Sequence, residues 1–213
     1  KNMEKFIEPA TVALADECHH LINSEEIVFS RNSQDILNIF TILIWAKLAL
    51  KDSNWNPSVT HLETIEKLAP VLRNLRHSDA GLPRFHGSCG DVDGQLDQAL
   101  SNAESRKTSL SETSVGFAKL SNSRTTVIID AAPPPMGKKA VKADASTLAF
   151  EMVSGQRRVF TSCGPGYLFG SDLSLVGRQT SSHCAVYIED RNSSEFSSVE
   201  GWFKTSKKMI ING

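Results

Sequence analysis

The sequence predicts an α+β chain, with a helical first half and an antiparallel β half after it. Two observations carry the prediction. Up to about residue 102, apolar residues recur at spacings of three and four. Beyond a Ser/Thr/Glu/Lys-rich stretch at 101–114 the period changes to two. Helices first and strands afterwards imply segregated layers or two domains, here 1–105 and 106–213.

The first helix is expected over 6–22, with Pro9 tolerable in its first turn. Ser33 is placed to cap a second helix over 34–50, apolar at Ile36, Leu37, Ile39, Phe40, Leu43 and Ile44. Asn38, Thr41 and Lys47 interrupt that run, which suits a buried helix better than a membrane span, with Trp45 in its core. Ser58 or Thr60 caps the next helix, where Leu62, Ile65, Leu68, Leu72 and Leu75 form one stripe. Pro70 is expected to kink or split it. A short helix follows over 95–102.

Strands are expected over 116–121, 124–131, 146–153, 158–162, 183–189 and 195–203. Asn122 and Ser123 turn the first pair. Three consecutive prolines, 133–135, take the chain off the sheet because none can donate to a ladder. Leu148, Phe150 and Met152 alternate with Thr147, Ala149 and Glu151, the pattern of a half-buried strand. Ser154, Gly155 and Gln156 then turn it into a hairpin.

A net charge of -1 gives no electrostatic case for nucleic acid or an anionic membrane. Four cysteines lie far apart without a CxxC pair, so neither a zinc knuckle nor a disulfide framework is indicated. Residues 1–17 carry no signal-peptide pattern. The chain starts inside a helical pattern and stops in a strand-like one, which suggests a piece of something longer.

Several segments, in order, carry a resemblance. They are Ser30-Arg31-Asn32 before an apolar helix, 68–81 followed by Arg84-Phe85-His86-Gly87, strands 116–120 and 124–134, the 146–151 strand, the Ser162-Cys163-Gly164 corner, and Arg178-Gln179-Thr180-Ser181-Ser182-His183. Together they resemble the heparinase II/III-like polysaccharide lyases, which join an incomplete α/α toroid to a β-sandwich. The resemblance implies the C-terminal helices of an incomplete α/α toroid followed by part of an antiparallel β-sandwich. It also implies an internal fragment of a cell-envelope (periplasmic) protein, with the cytoplasm as the alternative.

The activity implied is β-elimination on a uronic-acid-containing anionic polysaccharide. A base takes the proton alpha to the carboxylate, the carboxylate is neutralised, and an acid protonates the leaving oxygen. The family's His-x-His-x-Asp falls on Lys142, Asp144 and Ser146. Lys142 therefore stands in for the base, which needs burial or neighbouring charge to lower its pKa. Asp144 and His183 are the expected ligands of a divalent cation, zinc or calcium, and His183 is a second candidate catalytic residue. A further family ligand position carries Ser162, a poor zinc ligand, and the family's toroid tyrosine has no counterpart here. Arg31, Asn32, His86 and Arg178 are the candidate substrate-binding residues, guanidinium forks being suited to sugar carboxylates and sulfates. Two alternatives stand beside cleavage: a relative that binds anionic glycan without cutting it, and an envelope accessory protein.

Overall fold

The apolar stripes become helices in the computed structural model, which describes residues 4–24, 30–90, 94–105, 113–135, 137–199 and 208–212. These helices are α1 (Ile7–Ser24), α2 (Ser33–Asp52), α3 (Val59–Leu75) and α4 (Gln95–Asn102). Helix α3 packs against both α1 and α2, and α4 packs on α2. Ser58 caps α3, its hydroxyl accepting from the His61 N–H. Pro70 sits inside α3 without splitting it.

The cap of α2 differs from the expected one. Asn32, not Ser33, accepts from the N–H groups of Gln34 and Asp35. Ser33 lies one residue further on and its hydroxyl donates to the Pro83 carbonyl. At 20 residues and a mean hydropathy of 1.3, α2 is apolar enough to cross a bilayer by length and composition. Here Ile36, Leu37, Phe40, Leu43 and Ile44 pack in the core instead. Trp45 is 65% exposed, contrary to its expected core position, because the stripe at 36, 37, 40 and 44 already fills the inward face.

The strands form one antiparallel meander in the order β1 (Thr113–Ser114), β2 (Phe117–Asn122), β3 (Thr125–Asp130), β4 (Phe150–Ser154) and β5 (Arg157–Phe160). A separate hairpin pairs β6 (Glu195–Val199) with β7 (Lys208–Asn212). Beyond Val199, the strand expected over 195–203 lies outside the described residues. β2 and β3 are joined at Ser123 and Arg124, one residue later than expected. β4 turns into β5 at Gly155 and Gln156.

Two expectations for the β half fail. The face of β4 that turns inward carries Ala149, Glu151 and Val153, while Leu148 is 65% exposed. Buried hydrogen-bond donors hold Glu151 inside, so a carboxylate sets the phase that apolar alternation would have reversed. The strand expected over 183–189 is absent: only Ile188 and Arg191 form an isolated bridge. Phe150 N–H reaches the Cys184 carbonyl at 3.0 Å. Val186 and Ile188 stay exposed, with no strand to pair against.

One hydrophobic core runs through both halves. It includes Ile36, Phe40, Leu72, Phe85, Phe117, Ile128 and Ala149. The rings of Phe85 and Phe117 stack with centroids 5.8 Å apart, tying the loop after α3 to β2. That shared core fixes the loop at 84–88 against the segment that leads into β4.

Candidate functional site

After the prolines, a 3-10 turn at Gly137–Lys142 leads to Asp144, and three further 3-10 turns, Gly166–Phe169, Ser171–Leu173 and Val176–Arg178, face it. Between them lies a cavity of ≈ 330 Å³ whose lining includes Gly87, Lys142, Asp144, Tyr167, Asp172 and Arg178. Gly87 is needed at its edge. Its φ is +81°, and a Cβ there would meet Lys142 Cβ at 3.0 Å and the Lys142 carbonyl at 3.3 Å.

Arg178 braces this wall. Its Nε donates to the Ala143 carbonyl at 2.7 Å and its Nη2 to the Ala140 carbonyl at 3.1 Å. The guanidinium stands 5.1 Å from the centre of the Phe196 ring, and the Arg178 carbonyl accepts from Ala145 N–H at 2.8 Å. Burial lowers its pKa, while the Asp144 carboxyl pulls the other way. Much of this arginine therefore serves the 140–145 segment, and its charge faces the cavity from behind those bonds.

Lys142 lies at the rim, with 60% of its side chain exposed and its ammonium 3.0 Å from Asp35 Oδ2. That placement gives it neither of the conditions a lysine base requires, since it is solvated and its nearest partner is an anion. The pair joins the cavity wall to the first turn of α2.

Asp144 and His183 do come together. His183 Nε2 is 3.9 Å from Asp144 Oδ2, and the residues are 8% and 2% exposed. Asp144 lines the cavity, whereas His183 stands outside its lining. Burial pushes the Asp144 carboxyl up, against the pull of His183, His86, the Gly87 N–H and Arg178. Burial likewise pushes the His183 imidazole down, offset in part by Asp144. Both shifts favour the uncharged forms, as expected of a pair withdrawn from water.

Three predicted substrate-binding residues have other positions. Arg31, Asn32 and His86 are all buried, His86 completely. Asn32 is the α2 cap. Arg31, at φ +51°, donates from Nη1 to Asp130 Oδ1 at 2.6 Å and from Nη2 to the Pro133 carbonyl at 2.8 Å. His86 Nδ1 accepts the Asp144 N–H at 3.2 Å, and its Nε2 lies 3.1 Å from Asp130 Oδ2. None of the three reaches solvent, so none can meet a polysaccharide; they stand behind the cavity and hold it.

Sequence reasoning missed Tyr167 and Asp172 in the lining, and Asp130 and Glu151 behind it. For the two acids a signal existed. Asp130 is in phase with buried Thr126 and Ile128 on β3, and Glu151 with Ala149 and Val153 on β4. A carboxylate on the inward face of a strand must be paired, and so marks a polar network. Asp130 accepts from Ser146 Oγ at 2.7 Å in addition to Arg31. Burial alone would raise its pKa, but His86, Arg31 and Ser146 hold it below the ordinary carboxylate value. Glu151 Oε1 accepts from Ser162 N–H at 2.9 Å and Arg84 N–H at 3.2 Å, with Arg158 and His77 near Oε2.

The residues present do not fit the expected zinc or calcium. Asp144 Oδ1 and both His183 ring nitrogens have no hydrogen-bond partner among the described residues, so polar capacity is available. The donor set is too small, however. Ser162 supplies only a hydroxyl, and among the described residues no group of three or more His, Cys, Asp or Glu side chains could hold a metal ion. A structural zinc needs four such donors and a calcium needs more oxygens than this.

Residues 106–208 match the family described as heparinase II/III-like, C-terminal. The fold is similar to a crystal structure of heparinase III, with a TM-score of 0.66 at 16% identity, covering 94% of this chain and 38% of that one. It is also similar to a mutant of the heparan sulfate lyase HepC from Pedobacter heparinus, with a TM-score of 0.64 at 14% identity, covering 90% and 35%. A relative in sequence is FtsZ-localized protein C of Caulobacter vibrioides, 33% identical over 101 residues, 47% of this chain and 18% of that protein. The chain therefore spans a little over a third of the lyase structures and under a fifth of the curated relative.

Proposed function

Because residues 106–208 match the heparinase II/III-like C-terminal family on a helix-plus-sheet frame similar to that of heparinase III, we propose that the cavity beside Asp144 takes an anionic, uronic-acid-containing polysaccharide. We propose further that the full-length protein cleaves it by β-elimination. The observation that carries the reading is the lining itself: two cations, a phenol and a buried carboxyl of raised pKa line a single cavity, together with Asp172. Lys142 and Arg178 suit the sugar carboxylate, Lys142 from the exposed rim, where the sugar competes with Asp35 for its ammonium, and Arg178 by its charge.

Asp144 is the better-placed proton acceptor. In its ionised form the Asp144 carboxylate takes the proton and becomes neutral, with His183 standing 3.9 Å behind it. Proton loss alpha to the carboxylate leaves an electron pair that forms a carbon–carbon double bond as the glycosidic oxygen departs. The Tyr167 phenol, in the same lining, is the group that protonates that oxygen. A cell-envelope location follows from the same reading, with the cytoplasm as the alternative.

A second reading, glycan binding without cleavage, has one specific observation in its favour: Lys142, in the place of the family's histidine base, is a solvated, ion-paired lysine. One assay separates the two. Full-length protein is mixed with heparan sulfate, chondroitin sulfate, alginate and polygalacturonate, and the ultraviolet absorbance of the unsaturated product is followed. Cleavage predicts a steady rise with at least one glycan, lost in Asp144→Asn. Binding with no rise in absorbance supports the second reading, and neither binding nor absorbance change rejects both.

A further inference from the structure

Asp144 is held by more than its own loop. Its N–H donates to His86 Nδ1 at 3.2 Å, and its Oδ2 accepts the Gly87 N–H at 3.3 Å. Since His86 Nδ1 must offer a lone pair to that N–H, its proton belongs on Nε2, which faces Asp130 Oδ2 at 3.1 Å. The Nε2 contact is short but poorly aligned for a straight hydrogen bond. Asp130 in turn is fixed by Arg31 at 2.6 Å and Ser146 Oγ at 2.7 Å. Four segments thus meet here: the start of α2, the loop after α3, the end of β3 and the approach to β4.

We infer that Asp130 and His86 are positioning residues, which set the main chain and carboxyl of Asp144 at the cavity from behind and register the helical half against the sheet there. The inference rests on the glycan reading only for its consequence in binding, not for the geometry. His86 has no other access to chemistry, being completely buried. Arg31 closes the chain from the helical side, donating also to the Ala132 and Pro133 carbonyls at 3.4 and 2.8 Å, with its guanidinium carbon 5.7 Å from the centre of the Phe117 ring. A shift of His86 therefore moves Asp144 unless the loop at 86–87 breaks.

Two substitutions divide the imidazole. In His86→Asn the side-chain oxygen reproduces Nδ1 and keeps an acceptor for Asp144 N–H; asparagine also accepts the φ of +55° found at this position. In His86→Gln the amide nitrogen reproduces Nε2 and keeps the donor toward Asp130. Amide hydrogen exchange at Asp144, read on full-length protein, depends on no glycan. The expected result is near-native exchange in His86→Asn and exchange faster by roughly fivefold to tenfold in His86→Gln, the worth of one buried hydrogen bond. Ser146→Ala, which perturbs packing least, is expected to speed the same amide severalfold by loosening Asp130. Unchanged exchange in His86→Gln and Ser146→Ala overturns the inference. Heparan sulfate binding by calorimetry is the second readout, expected to weaken in His86→Gln more than in His86→Asn. Exchange that behaves as expected while wild-type protein binds no glycan leaves the positioning chain standing and removes the glycan reading alone.

Discussion

Asp144 carries opposite demands: its carboxyl is withdrawn from water, yet it lines an open cavity. Its folded pKa is raised. An acid with a raised folded pKa holds its proton more tightly in the native state, so ionising it costs stability once pH rises above the unfolded value of about 3.9. Asp144→Asn removes that cost while keeping an acceptor for Gly87 N–H. Its melting temperature is expected to exceed wild type at neutral pH, with the difference closing below about pH 4. Thermal scans across that range check this, and a variant less stable than wild type at neutral pH would contradict it. Asp130→Asn should do the reverse. It leaves the Arg31 guanidinium buried without its anion, a loss of about 3–5 kcal/mol in denaturant unfolding.

At the scale of elements, α2 and the two inner strands set the site, and each was legible to a different degree. The stripe of α2 reads directly, because burial there is apolar, and Phe40→Ala is expected to cost about 3–5 kcal/mol. Its cap reads less well. Asn32 was assigned to substrate, yet both of its contacts go to the α2 N–H groups, so Asn32→Ala should cost about 1 kcal/mol of stability and leave glycan affinity unchanged. The phase of β4 was hidden for a physical reason. Apolar alternation assumes that water ranks the two faces, whereas Glu151 is drawn inside by Ser162, Arg84, Arg158 and His77, partners that lie far off in sequence. His86 was hidden likewise, since a loop histidine looks solvated until the fold closes over it. Lys142, Asp144 and Arg178 could be placed together because the resemblance ordered the segments around them, while Tyr167 sits in a turn that no periodicity marks.

For the molecule as a whole, the helices and the sheet share one core and one chain of buried charge, so acid should loosen both together. His183 has a folded pKa below its unfolded value, so the unfolded chain takes up a proton first as pH falls through about 6.5 and stability declines from there. Asp130, with a depressed folded pKa, contributes stability above about 3.9 that is lost as pH falls further. Stability against pH should therefore fall in two stages, and His183→Gln should flatten the first without touching the second. A single acid transition unaffected by His183→Gln would contradict that assignment.

The central claim is that an anionic glycan lies in the cavity between Lys142, Tyr167 and Arg178. Charge reversal at the exposed rim tests it with little risk to folding. Calorimetric titration of full-length wild type and Lys142→Glu with heparan sulfate, at low and moderate salt, should show wild-type affinity that falls as salt rises and a loss of about tenfold or more in the variant. Equal affinity in the two proteins, at unchanged melting temperature, would contradict the account.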